Sequence, residues 1–136
     1  MHNPSELAGI FTRAAQHISR HGYHKGAFYA PDIDSYGRPR YASTPHQDRP
    51  ADFVGAIRIA ATGHPLETSA LVDAALQFAS RQLPTEPPAT DGVDDYVEHL
   101  AYWNDEEQRT AASVASFLHQ LAVQVTVPQL CLAVAA

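Results

Sequence analysis

Two groups of side chains carry the chemistry that this chain offers. Six polar residues from distant stretches, His21, Tyr29, Arg38, Asn104, Asp105 and Arg109, combine an imidazole, a phenol, two guanidiniums, an amide and a carboxylate. Gathered in one hollow beside the only tryptophan, Trp103, they would hold a small molecule by shape and by fixed polarity. Asn104, Asp105 and Arg109 also fit a plainer role, because caps and an ion pair spaced i, i+4 fix a helix junction. The second group is imidazole: His17 and His21 stand one helical turn apart and His24 follows just beyond Gly22. An i, i+4 pair with a third ligand from a loop is a workable zinc geometry. The competing role is simpler, since in the last turn of a helix an imidazolium interacts well with the C-terminal dipole.

Other chemistries lack their signatures. Ser5, Ser19, Ser35 and Ser43 have no glycine elbow around them, and Cys131 sits in an apolar run where a thiol is inert. A single cysteine also excludes an internal disulfide and a cysteine-based metal cluster. Gly22 and Gly26 are not followed by a helix-opening Lys-Ser or Lys-Thr, so no phosphate cradle is signalled. Asp91, Asp94, Asp95 and Glu98 read as a solvated helix start; glycosidase-like work would require a raised pKa in a pocket. No cofactor is implied, and enzymatic activity is left open.

The elements that must position these residues are mostly helical. Asn3, Pro4 and Glu6 signal a first helix three ways, Leu7, Ile10, Phe11, Ala14 and Ile18 give its apolar stripe, and Gly22 ends it. Tyr23 to Ala30 is aromatic and glycine-rich, and turn chemistry around Asp34, Ser35 and Gly37 fits a small hairpin or an extended loop. Pro39, Pro45 and Pro50 mark the stretch from Arg38 to Pro50 as an exposed loop. Asp52 caps a second helix, Phe53 to Thr62, whose nearly continuous apolar face and small Gly55 and Ala56 predict burial on most sides. A third helix is expected from about Glu67 to Leu83, stopped by Pro84, and a fourth from Asp91 or Asp94 to Tyr102. The chain then turns at Trp103-Asn104-Asp105, with Asn104 closing one helix or Asp105 and Gln108 boxing the next, Thr110 being a second cap. Val114, Phe117, Leu118, Leu121 and Val125 make the fifth helix amphipathic. A large indole beside Asp105, Glu106 and Glu107 must be covered while the carboxylates stay wet, so Trp103 is expected inside the bundle.

A chain of 136 residues, 45% hydrophobic and 18% charged, suits one globular domain with a real core. The formal charge of −6 divides unevenly: +2 up to Pro65 and −8 from Leu66 onward. Seven scattered basic residues in the first half do not make the concentrated surface that phosphate binding needs, so nucleic acid is not expected as a partner. The start, Met1-His2-Asn3-Pro4-Ser5-Glu6, lacks a basic, apolar leader, which points to the cytoplasm. The uncharged tail from Thr126 is too short to span a bilayer and is expected to pack on the domain or on a second subunit.

Several fragments, taken in order, resemble a family of small uncharacterised bacterial proteins, a domain of unknown function. They are Ala14-Ala15 and His21-Gly22, Lys25-Gly26-Ala27-Phe28-Tyr29, Gly37-Arg38, Gly55-Ala56-Ile57, and Trp103-Asn104-Asp105 with Arg109-Thr110 before an apolar helix. The resemblance covers the chain to about Val125 and implies no activity. Asp52 stands about where members often carry a cysteine, so thiol chemistry does not carry over. The polar positions it marks are His21, Arg38, Asn104, Asp105, Arg109 and Thr110.

The sequence therefore predicts a mainly α single-domain bundle of about five helices, with a small hairpin or long loop between the first and second. Residues 1–125 form the domain and 126–136 an apolar tail. The first functional expectation is a non-enzymatic binding or accessory protein that self-associates through that tail as a homodimer or meets another protein. The second is a small-molecule-binding protein or enzyme with a polar pocket around the Trp-Asn-Asp turn, and the third a zinc protein using His17, His21 and His24.

Overall fold

The computed structural model describes residues 2–86, 88 and 92–127. Within them lie five helices: α1 (Pro4–His21), α2 (Phe53–Thr62), α3 (Ala70–Gln82), α4 (Val93–Asp105) and α5 (Ala111–Gln124). The expected bundle is what forms. Most of the apolar tail, from Pro128 onward, lies outside the described residues. No helix among those described is long and apolar enough to cross a membrane.

Four of the five helices begin where a side chain satisfies an orphan amide, α4 starting instead after Gly92 with no side-chain cap among the described residues. Asn3 accepts the Ser5 N–H (2.7 Å), Asp52 that of Gly55 (2.6 Å) and Ser69 that of Val72 (3.1 Å). Thr110 and Ser113 bond reciprocally as a capping box (3.1 and 3.0 Å), which displaces the expected box of Asp105 and Gln108. Asn104 stays helical, since among the described residues none other than glycine has a positive φ. Helix α4 thus runs on through Asp105, three residues beyond the expected end, and α3 starts at Ala70 because Ser69 takes the cap.

Helix α1 is the centre of the bundle, with α5, α2 and α3 packed on it. Its stripe of Leu7, Ile10, Phe11, Ala14 and Ile18 is buried as the periodicity predicts. Covering each large side chain contributes about 1.5–3 kcal/mol. Helix α2 is enclosed over Phe53–Ile57 and half-buried beyond, so its burial is complete only at its start. Trp103 sits inside, with its ring 4.9 Å from Phe117 and 5.6 Å from Phe53. The indole reaches across to α2 and α5.

Between α1 and α2 there are isolated bridges in place of a hairpin: Tyr23 and Tyr29 to Ala51, and Ile33 to Pro39. The segment after α1 lies along residues 50–52. His24 N donates to Ala51 O (3.0 Å), Ala30 N to Pro50 O (2.8 Å) and Asp52 N to Phe28 O (3.1 Å). Near the end of the loop expected to be exposed the chain is instead interior: Arg49 is 3% exposed, and Ala51, just beyond the loop, is fully covered. The reason is the guanidinium, whose Nε donates to Thr44 O (2.8 Å), Nη1 to Ala30 O (3.2 Å), and Nη2 pairs with Asp32 (2.6 Å). One buried arginine supplies the donors that two loop segments lack. Replacing it by methionine leaves two carbonyls unmet and is expected to cost about 2 kcal/mol in urea unfolding. Amide exchange should also quicken at Arg40 and Tyr41, whose N–H groups bond the Asp32 carbonyl. An unshifted unfolding midpoint with unchanged exchange counts against this role.

Candidate functional site

A cleft of about 740 Å³ opens where this loop meets the start of α2 and the end of α4. Gly26 to Tyr29 and Pro31-Asp32 form one wall, His46 and Arg49 a second, and Leu66, Ala101 and Asp105 the third, with Asp52 at the base. Tyr29 and His46 lie ring against ring at 4.7 Å, and the Arg49 guanidinium stands 5.8 Å from the Tyr29 ring centre.

Asp52 is the unusual group. Its side chain caps α2 by accepting the Gly55 N–H, and its own N–H donates to the Phe28 carbonyl. The residue is only 3% exposed, yet Oδ1 alone meets a protein donor; none reaches Oδ2 among the described residues. Burial pushes its carboxyl up to about 7, and the Asp105 charge adds to this, while the Gly55 N–H and Arg58 oppose it. An acid that is half charged near neutrality is matched to proton transfer or to charge-dependent binding.

The sign of the linked stability follows. The folded state holds this proton more tightly than the unfolded chain, where an Asp titrates near 3.9. The stabilisation is therefore full below about pH 4 and is lost as pH rises through about 7. Asparagine caps as well as aspartate and does not titrate. Between about pH 5 and about pH 8 the natural protein should lose about 2 to 3 kcal/mol more unfolding free energy than Asp52→Asn. Urea titrations with parallel pH dependence in both proteins would contradict the assignment.

Asp105 faces Asp52 from α4. Its Oδ1 accepts the Gly26 N–H and the Asn104 Nδ2–H, both at 3.0 Å, which ties the loop after α1 to the end of α4. Arg49 is paired with Asp32, so among the described residues the cleft carboxyls that enter no ion pair are those of Asp52 and Asp105.

With that geometry in place, the kinship of the chain is informative. The model of a family of unknown function (DUF6197) matches residues 2–124, spanning all five helices and every residue of the cleft. The chain belongs to DUF6197. This agrees with the uncharacterised domain that its motifs resemble. No curated protein and no solved structure matches the chain.

In this DUF6197 chain the six polar residues expected to converge are divided. Tyr29 and Asp105 meet in the cleft. Asn104 is buried behind it: Oδ1 accepts the Phe53 N–H (3.0 Å), Nδ2 also donates to His24 O (3.3 Å), and its carbonyl accepts the Tyr23 hydroxyl. Arg109 lies flat on the indole, 4.0 Å from the ring centre, donating to Trp103 O (2.9 Å) and pairing with Glu106 (3.1 Å) in place of Asp105. Arg38 belongs to the Asp34 turn, where its N–H bonds Asp34 Oδ1 (2.9 Å), and it lines none of this cleft. His21 lines a separate groove with His17, Arg13 and Arg20.

The three histidines weighed as zinc ligands are likewise apart in function. His17 Nε2 donates to the Arg49 carbonyl (2.8 Å), which occupies one of the two nitrogens that could ligate a metal, and burial lowers its pKa. His21 packs 4.8 Å from the His17 ring, while His24 lines a third hollow with Tyr23 and Tyr41. No group of three His, Cys, Asp or Glu side chains suited to a metal ion occurs among the described residues.

Sequence reasoning read Asp52 only as a cap and passed over Arg49 and His46. The available signal was Asp52 itself, one charge set between Ala51 and the apolar run Phe53-Val54.

Proposed function

We propose that this protein binds a small molecule in the cleft at the start of α2, with Asp52 as the polar anchor. The supporting observation is the Asp52 carboxyl, almost wholly removed from water yet with one oxygen that meets no donor among the described residues, in a cleft of about 740 Å³. A buried carboxyl lowers stability at neutral pH, whereas a serine would cap the same helix without that cost. Retaining the acid is sensible where it meets a ligand. A concave site with aromatic walls and a few placed polar groups is the usual form of small-molecule sites. Tyr29 and His46 supply the walls, and the exposed Leu66 offers an apolar lip. Screening ring-containing fragments by nitrogen-15 NMR tests this. Binders should shift the amides of Gly26, Tyr29, Asp52 and Asp105 together and lose that effect in Asp52→Ala. A screen whose binders all leave these amides unmoved defeats the proposal.

A further inference from the structure

We infer that the ligand of this cleft is an organic ammonium, its charged head seated between the carboxyls of Asp52 and Asp105 and its apolar body against Tyr29 and Leu66. The inference rests on the small-molecule reading above and narrows it to a chemical class.

The donors and acceptors around the cleft decide the class. The arginine that lines the cleft and the lysine beside it are already committed to the protein. Arg49 is divided among Thr44 O, Ala30 O and Asp32. Lys25 Nζ caps the far turn, donating to the carbonyls of Glu106 (2.6 Å) and Glu107 (3.2 Å). The Arg58 guanidinium, whose buried Nε has no hydrogen-bond partner among the described residues, is stacked 4.6 Å from the Phe28 ring centre and does not line the cleft. The Gly26 N–H, which a ligand anion could have used, is given to Asp105. A carboxylate or phosphate would therefore find no uncommitted guanidinium or ammonium on the described lining and would face two carboxyls. Acceptors are what is left: Oδ2 of Asp52 and Oδ2 of Asp105 receive no protein donor among the described residues. An ammonium brings three donors and a positive charge, which answers both deficits. Tyr29 adds an aromatic ring beside the same space, and such a ring attracts a cation.

Seating a cation beside Asp52 favours its charged form, so binding near neutrality expels a proton. The groups that face this carboxyl are Asp105, which holds the proton on, and Arg58, which loosens it. Tyr29, His46 and the Asp32–Arg49 pair line the same space. Apparent affinity for an ammonium should therefore rise as pH increases through about 7.

The full-length protein is titrated with benzylamine, benzyl alcohol and benzoate, three probes of one shape and different charge, following the amides of Gly26 and Asp105 by NMR. Calorimetry in two buffers of unlike ionisation heat reports protons released. Benzylamine should bind at least about tenfold more tightly than benzyl alcohol, benzoate most weakly, with net proton release near neutrality. Asp52→Asn, checked for an unchanged fold by its spectrum, should lose the preference for the amine and the proton release together. Benzyl alcohol or benzoate binding in the cleft as tightly as benzylamine overturns the ammonium assignment and leaves the small-molecule reading standing. Benzylamine leaving the cleft amides unmoved also overturns it; the reading beneath fails only if the fragment screen is silent there too.

Discussion

Trp103→Ala should lower the unfolding free energy by about 3–5 kcal/mol, the range for emptying a large aromatic site in a core. The indole is 6% exposed and joins three elements that are otherwise loosely connected. It meets Phe53 of α2 edge-on at 5.6 Å, packs 4.9 Å from Phe117 of α5, and carries the Arg109 guanidinium on its open face at 4.0 Å. Each aromatic pair adds about 0.5–1.5 kcal/mol beyond the area covered, and the cation adds a further increment. Alanine loses all of these at once, and the neighbouring helices cannot close the gap without moving Asn104. That shift matters because Asn104 bonds the first amide of α2 through Phe53 N. Trp103→Phe keeps much of the packing and should cost roughly half as much. Urea denaturation followed by circular dichroism reads both. A loss under about 1 kcal/mol for the alanine variant would mean that the ring contributes by exposure rather than by packing.

Gly55→Ala is the second large effect, and its sign is the point. In an exposed helix interior this change stabilises by up to about 1 kcal/mol. Here a Cβ would stand 2.0 Å from the Phe28 carbonyl oxygen and 2.9 Å from its carbon, and the obstacle is backbone, which has no rotamer to escape into. The same carbonyl accepts the Asp52 N–H (3.1 Å), so displacing it also releases an interior hydrogen bond. The expected cost is about 2–3 kcal/mol or more, from overpacking together with the lost bond. The loop from Phe28 to Ala30 should move away from α2 and widen the cleft, visible as large amide shifts there and weaker fragment binding. An alanine variant as stable as the natural protein would show that the loop does not sit on α2 as described.

The contrast between these two positions explains what could be read in advance. Trp103 beside Asp105, Glu106 and Glu107 is a local conflict between burial and hydration, and the covered indole follows from it. Helix α1 was legible for the same reason, because Asn3, Pro4, the apolar stripe and Gly22 all act within one segment. Gly55 is different: its smallness was visible, but the carbonyl that requires it comes from Phe28, far back in the chain. The turn near Thr110 was ambiguous locally, since two capping patterns overlap there. The choice was made by Asn104 and Asp105, whose side chains are committed to Phe53, His24 and Gly26 and so extend α4.

The site was the least legible part for the same physical reason. Asp52 carries the correct residue type for a cap, and nothing in its neighbours along the chain reveals that it also lines a hollow with Tyr29, His46, Arg49 and Asp105. Arg49 stood in a proline-bearing loop and read as exposed, because its acceptors, Thr44 O, Ala30 O and Asp32, become neighbours only after the loop folds back. Of the six polar residues proposed to converge, Tyr29 and Asp105 face the cleft, and Asn104 and Arg109 instead hold the frame around it.

The most direct test is the titration of one carbon. Following the carboxyl carbon-13 shift of Asp52 by NMR, assigned against Asp52→Asn, should give a midpoint near 7, well above the ordinary range for aspartate. A midpoint near about 4, the value of a solvated aspartate, would show that the carboxyl is neither desolvated nor poised at the base of a binding cleft.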